Sequence, residues 1–234
     1  MRYAYPPYKT SLFKITGEDF MSCCRFCATP LEHTFVDLGM SPLSNAYLTA
    51  QQTCRMEPFY PLHAFVCAAC FLVQLEEFES PQQIFSDYAY FSSYSDSWVE
   101  HARRYALAMA ERWQLGAASQ VVEIASNDGY LLRHFKAQGI PVLGVEPAEN
   151  VAAVAQQAGI PTRAEFFGVA CASRMVSENL RADLLVGNNV LAHVPDINDF
   201  VGGLKILLKS DGVITMEFPH LLRLMQGNQF DTIY

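Results

Sequence analysis

The sequence predicts an α/β chain in two parts, a small β-rich module built around cysteines and then a doubly wound parallel sheet. Two observations predict it. Two C-x-x-C pairs, Cys24/Cys27 and Cys67/Cys70, bracket a stretch of short strand-and-turn patterns. After Gly116 the texture changes to buried apolar runs alternating with helical segments. With 51% hydrophobic and only 17% charged residues, the 234-residue chain can bury a real core in one to two domains.

Residues 1–20 read as a poorly structured leader, with Pro6-Pro7 and no sustained period. Met21 is then either the functional start or the end of an N-terminal arm that docks elsewhere. In the module, residues 21–80, Thr34 to Leu38 alternates and ends in a turn at Gly39. Residues 62–66 and 71–77 read as two strands flanking the turn at Cys67–Cys70, and Pro81 closes the module. A linking region, residues 81–116, holds an aromatic-rich loop from Phe85 to Tyr94 and a helix over 97–115. Trp98, Ala102, Tyr105, Met109 and Trp113 recur there every three or four residues, and Ser95 or Asp96 can cap the start. In the second domain, residues 117–234, strands are predicted at 121–125, 142–146, 162–166, 183–188 and 212–218. Helices fall between them at 130–138, 150–158, 169–179 and 197–208. Such alternation implies parallel strands with right-handed crossovers.

Composition excludes some functions. With 16 basic against 24 acidic residues the formal charge is −8, and no Lys/Arg cluster offsets it. Binding to a nucleic-acid backbone is therefore disfavoured, although a nucleotide-linked small molecule needs only a local pocket. The start lacks the apolar core of a signal peptide, and no later stretch approaches the roughly 20 apolar residues of a membrane span. A cytosolic protein that does not bind membranes is expected, and in that compartment seven cysteines point to metal or catalysis rather than disulfides.

Two residues between cysteines let one tight turn offer both sulfurs to a single ion. Cys24, Cys27, Cys67 and Cys70 together would make a closed tetrahedral site of four thiolates, which zinc prefers and which leaves no open position for catalysis. The expected role is structural, in a module of a size where a core alone is marginal. A redox dithiol is the weaker reading, because such motifs normally come singly beside a βαβ unit. Cys23, Cys54 and Cys171 are left over and read as ordinary thiols.

In an open parallel sheet, ligands bind beyond the carboxyl ends of the strands, where strand order reverses. Glu123, near the end of the first parallel strand, is followed by Ala125, Asn127 and Gly129. The pattern resembles motif I of methyltransferases, in which glycines commonly take those three places. Glu146 ends the next strand 23 residues further on, where a carboxylate can hold both ribose hydroxyls of a nucleoside. A nicotinamide dinucleotide would want a fuller glycine turn against its pyrophosphate, so S-adenosylmethionine fits the sparser turn better. Solvated strand-end carboxylates are the bland alternative for both glutamates. Phe166 could pack on an adenine, unless it and Phe167 both belong to the core. After the fourth strand, Asn188, Asn189 and His193 could offer hydrogen bonds to a reacting group, although a lone histidine near a helix start is more often structural.

Together these stretches resemble the zinc-containing, S-adenosylmethionine-dependent sugar C-methyltransferases that methylate C-3 of nucleotide-linked 4-keto-deoxysugars. The resemblance is carried by Cys24-Arg25-Phe26-Cys27, the segment Phe35 to Asn45, Cys67-Ala68-Ala69-Cys70 and the segment Tyr88 to Ser95. It continues through Glu123 to Leu132, Gly144-Val145-Glu146-Pro147, Asn188 to Val194, Glu217-Phe218-Pro219-His220 and Gln229 to Tyr234. It implies a Rossmann-like, class I donor domain and an enolate that attacks the sulfonium methyl. It also implies that Tyr88, Asn189, His193 and Tyr234 line the reacting centre. In the family, a His-Glu-His stretch with the proposed base follows the position of Tyr234, and two further strands complete the sheet. Neither is in this sequence, so little or no turnover is expected of the chain as written, and a monomer is the expected state. A non-catalytic protein that keeps the donor pocket or the zinc module for association is the competing reading. A nucleic-acid methyltransferase with a zinc knuckle is argued against by the charge.

Overall fold

A computed structural model describes residues 22–85 and 88–233. The leader, the start at Met21 and Tyr234 lie outside the described residues. Strands β1 (His33–Ser41), β2 (Tyr60–Val66) and β3 (Val73–Leu75) form an antiparallel sheet in that order. Register shifts interrupt the β1–β2 pairing, one of them between Asp37 and Met40. Within that shift Gly39 turns at φ +82° and its N–H donates to Asp37 Oδ1 at 2.9 Å.

Helix α1 (Pro81–Phe85) was not predicted and fills the stretch between the close of the module at Pro81 and the aromatic loop that begins at Phe85. At five residues it is too short to show a period in the sequence. The long helix α2 (Asp96–Arg112) begins where predicted, with Ser95 Oγ accepting from the Trp98 N–H at 3.4 Å.

The parallel sheet has five strands: β4 (Val121–Ile124), β5 (Val142–Val145), β6 (Thr162–Arg163), β7 (Ala182–Asn188) and β8 (Leu208–Glu217). Their spatial order is β6-β5-β4-β7-β8, all parallel, so strand order reverses between β4 and β7. Buried parallel strands take near-continuous apolar runs, and β4 and β5 are buried along their whole lengths. One face is covered by α2, α3 (Leu132–Lys136) and α4 (Glu149–Gln157), through Ala102, Ala106, Phe135 and Ala155. The other is covered by α5 (Val169–Ser177) and α6 (Ile197–Leu207), through Cys171, Met175, Phe200 and Leu204.

Two predicted elements are trimmed and one is lengthened. The strand at 162–166 keeps two residues and the helix at 130–138 keeps five, whereas the last strand, predicted from 212, starts earlier at Leu208, directly after α6. Helix α7 (Leu221–Gln226) was not predicted. Among the described residues, no helix is long and apolar enough to cross a membrane.

Candidate active site and metal centre

The four cysteines of the two C-x-x-C pairs meet. Their sulfurs all lie within 4.8 Å of one another, with Cys24–Cys70 at 3.6 Å and Cys27–Cys67 at 3.5 Å. A tetrahedron of sulfurs about 2.3 Å from a zinc ion has edges of about 3.8 Å, so the donor set and its spacing fit that ion. Both knuckles are built alike. The residue after each pair is left-handed, Ala28 at φ 60° and Phe71 at φ 63°. Its N–H returns to the carbonyl of the first cysteine, at 2.8 Å to Cys24 and 2.9 Å to Cys67.

Burial pushes the Cys24 thiol up, but hydrogen bonds from Gln74 and from the Cys27 and Phe26 backbone bring it down to about 6. Cys67 is lowered chiefly by the Cys70 backbone N–H. A backbone hydrogen bond at Leu72 pulls Cys70 down, yet burial and the three other thiols push it up to about 12, the mutual opposition a cation relieves. Of the remaining thiols, Cys171 is buried, and burial raises it to about 11, so it is inert at neutral pH.

The second site lies at the carboxyl end of β4. Ala125, Asn127 and Gly129 have φ of 55°, 49° and 77°, so all three positions where glycine would be expected are left-handed. Only Gly129 is free of the side-chain penalty there. A Cβ on Gly129 would stand 2.9 Å from Ile160 Cγ1. Gly129→Ala should therefore cost about 1–3 kcal/mol and lower the melting temperature by roughly 2–10 °C in thermal denaturation.

Glu146 reaches into this turn. Its Oε2 accepts from the Asn127 N–H at 2.9 Å and its Oε1 from the Ala148 N–H at 3.0 Å. A carboxylate has about four acceptor positions, so each oxygen keeps one for a ribose hydroxyl. Burial raises the Glu146 pKa, while the two N–H donors hold it partly back. With Glu146 and the buried Asp128 beside it, the turn is acidic. It suits a cationic donor and opposes a pyrophosphate.

Glu123 is fully buried, and burial, then the charges of Glu146 and Asp128, push its carboxyl well above the usual range. Only the Tyr130 hydroxyl works the other way. A raised acid binds its proton more tightly in the folded chain. Its contribution to stability is thus present in acid and lost as pH rises from about 4.3 through the raised value. Glu123→Gln mimics the protonated form. Its melting temperature should exceed the wild type's at pH 8, with the difference shrinking towards pH 5.

The sequence reading treated the aromatic loop and the β4 turn separately, and the structure joins them. Asn127 Oδ1 accepts from the Ser92 N–H at 2.9 Å, Asn127 Nδ2 donates to the Tyr90 carbonyl at 3.1 Å, and Asp128 Oδ2 accepts from the Ser93 N–H at 3.1 Å. On α4, the Asn150 amide exchanges two hydrogen bonds with the Tyr88 backbone, at 3.2 and 2.8 Å. Asp128 and Asn150 were missed, because nothing in a sequence marks side chains that bind backbone tens of residues away. The loop carries Tyr88 to His193. Both line a cleft of about 90 Å³ with Phe85, whose ring lies 5.8 Å from Tyr88 and 6.3 Å from His193. Burial of the ring side that faces the cleft lowers the His193 pKa, so the ring is a neutral imidazole at neutral pH although the residue stays exposed at the cleft mouth.

The other candidates separate. Asn188 faces inward, 3.4 Å from the Tyr130 hydroxyl, whereas Asn189 is exposed, left-handed at φ 52°, with its N–H on the Glu217 carbonyl at 2.7 Å. Phe166 is 38% exposed and available to a flat ligand, while Phe167 packs edge-on against Phe200 at 5.5 Å. The alternative that both phenylalanines are core thus holds for Phe167 alone.

A methyltransferase domain model matches residues 97–233, more than half of the chain. The chain belongs to the methyltransferase family. A zinc-binding domain model matches residues 24–85 of this methyltransferase, spanning all four clustered cysteines. It therefore pairs a zinc-binding module with an S-adenosylmethionine-binding fold. Among curated proteins it is 34% identical over 211 residues to the C-methyltransferase NovU of Streptomyces niveus, across 90% of this chain and 50% of that one. The chain spans half the length of that relative. Solved structures that resemble it include DesVI of Streptomyces venezuelae, 16% identical with a TM-score of 0.40 over 50% of this chain and 49% of that one. The plantazolicin methyltransferase BpumL with SAH is 10% identical, with a TM-score of 0.44 over 57% and 51%. At those scores the solved structures add nothing to the assignment.

Proposed function

We propose that this methyltransferase transfers a methyl group from S-adenosylmethionine to carbon, on a nucleotide-linked 4-keto-deoxysugar. The observation that carries the reading is the meeting of Tyr88 and His193 in one cleft, with the Tyr88 loop hydrogen-bonded to the acidic turn after β4. Glu146 would hold the donor's ribose, Phe166 its adenine, and the turn from Glu123 through Ala125, Asn127 and Gly129 the rest, with Asn188 behind. The bound donor supplies an electrophilic methyl.

The chain's own residues hold the acceptor beside it. A ketone acidifies the carbon next to it, and passing that proton to a base in the solvent leaves negative charge on the ketone oxygen. A neutral His193 can donate a hydrogen bond to that oxygen, as can the Tyr88 hydroxyl, and such donors are worth most where charge develops away from water. Asn189 and Tyr234 complete the proposed set. We also assign residues 21–80 to the zinc module, 81–116 to the linking region and 117–234 to the donor domain. Nothing in this reading calls for a nucleic acid, a membrane or a second subunit, and the place of action is the cytoplasm.

The test is to incubate the chain with methyl-labelled S-adenosylmethionine and a thymidine-diphosphate 4-keto-6-deoxyhexose, then locate the label by NMR. Slow labelling of the carbon beside the ketone is the expected result, since none of the named residues is assigned as the base, and His193→Ala should remove it. Label on an oxygen or nitrogen, or a chain that binds the donor but never the sugar nucleotide, would overturn it.

A further inference from the structure

The cleft that holds Tyr88 and His193 has a wall that neither the donor domain nor the linking region supplies. Opposite Ile84, Phe85, Tyr88 and His193 stand Leu43, Ser44 and Asn45, from the segment between β1 and β2 of the zinc module. This segment is a tight turn, with the Ala46 N–H on the Leu43 carbonyl at 3.4 Å and the Tyr47 N–H on the Asn45 carbonyl at 3.0 Å. Asn45 itself is left-handed at φ 61°, a conformation asparagine tolerates better than most residues. Its exposed amide is thereby placed at the cleft.

The wall is not loosely apposed. The two residues between the first pair of cysteines both dock on the segment that follows His193. Arg25 Nη1 donates to the Val194 carbonyl at 3.2 Å, and Asn198 Nδ2 donates to the Phe26 carbonyl at 2.9 Å. Arg25 is held in turn from the module side. Its backbone N–H donates to Gln74 Oε1 at 2.9 Å, its Nη2 to the Leu75 carbonyl, and Gln74 Nε2 reaches Cys24 Sγ at 3.2 Å. The knuckle thus ties the zinc module to the segment that follows His193.

The chemistry of the lining is amphipathic. Phe85 and Tyr88 offer ring faces, Leu43 and Ile84 offer aliphatic surface, and Ser44, Asn45 and His193 offer hydrogen bonds. A deoxysugar has the same division, with C–H-rich faces and a few hydroxyl or keto groups around its edge. At about 90 Å³, well below the roughly 300–1,000 Å³ of ordinary ligand pockets, the cleft takes one edge of a ring rather than a whole hexose.

We propose that the Leu43–Asn45 turn of the zinc module is part of the acceptor site, and that the Asn45 amide selects the acceptor by hydrogen-bonding a substituent on the ring edge. This rests on the proposed function. The zinc module is then a specificity element as well as a folding unit.

The experiment is a calorimetric titration of the full chain, saturated with S-adenosylhomocysteine, with a thymidine-diphosphate 4-keto-6-deoxyhexose. It compares the wild type with Asn45→Gly, which keeps the left-handed backbone and removes only the amide. Asn179→Gly makes the same change at φ 63° on an exposed site away from the cleft and serves as the control. The expected result is a loss of roughly tenfold in acceptor affinity for Asn45→Gly alone, with S-adenosylhomocysteine affinity and zinc content unchanged. Affinity within twofold of a wild type that does bind the sugar nucleotide overturns the inference and leaves the proposed function standing. A wild type that binds S-adenosylhomocysteine but not the sugar nucleotide overturns both.

Discussion

Removal of zinc, by chelation or by Cys67→Ser, should unfold the β1–β3 sheet while the parallel sheet stays folded. The module has almost nothing else to hold it. Its buried core is Cys24, Leu31 and Cys67, with Phe65, Cys70 and Leu72 packed alongside, so half of its cluster is metal ligand. Binding of structural zinc contributes on the order of 10–16 kcal/mol in small modules, comparable to the whole stability of a domain. The parallel sheet has two large apolar clusters of its own and needs no ion. Hydrogen-exchange mass spectrometry is the direct check. Amides of β1 to β3 should exchange as in an unfolded chain once the metal content reaches background, and β4, β5 and β7 should stay protected. Retained protection in β1 to β3 without metal would sink the assignment of a structural zinc site.

Glu146→Gln should weaken S-adenosylhomocysteine binding by roughly 10–100-fold. The carboxylate accepts two backbone N–H groups and has two further acceptor positions for a diol, and hydrogen bonds to a charged acceptor are worth about 1.5–3 kcal/mol each. An amide keeps one acceptor oxygen and turns its NH₂ toward a backbone donor, so part of the loss comes through the turn itself. Glu146→Asp keeps the charge but falls short by one methylene and should lie between. The pH dependence gives a second signature. Burial raises the Glu146 pKa, and the ionised form is the better acceptor, so donor affinity should fall as the pH drops through that raised value. The glutamine variant should lose this dependence. Equal affinities in the two proteins across that range would place the ribose elsewhere.

How far the sequence was legible depended on how local each signal is. The four thiols could be read because two knuckles announce themselves within four residues each. The buried strands could be read because Val121, Val122 and Ile124 in β4 and Leu184, Leu185 and Val186 in β7 make near-continuous apolar runs. The donor turn was half legible. Glu123 and Glu146 have the right spacing, and asparagine at 127 tolerates a left-handed turn, but that Ala125 turns left-handed is not written in its residue type. Phe166 and Phe167 are indistinguishable as letters, and only the position of Phe200 separates them. The assembly of the cleft was not legible at all. It depends on Asn127 meeting Ser92 and on Arg25 meeting Val194, contacts across 35 and 169 positions with no period to betray them. Asn45 lay within a stretch that carried the family resemblance, yet it had no role until a wall of the cleft was seen to be made of it.

The tie of Asn127 and Asp128 to the Tyr90–Ser93 backbone has a consequence in time. The turn that would receive the donor also anchors the loop that presents Tyr88. A donor that filled the pocket would stiffen that turn and, through three hydrogen bonds, the loop above it. On the proposed reaction the two ligands therefore enter in a fixed order, donor first and acceptor second. A product analogue of the donor should then compete with S-adenosylmethionine alone, and steady-state patterns would show an acceptor that cannot productively arrive early.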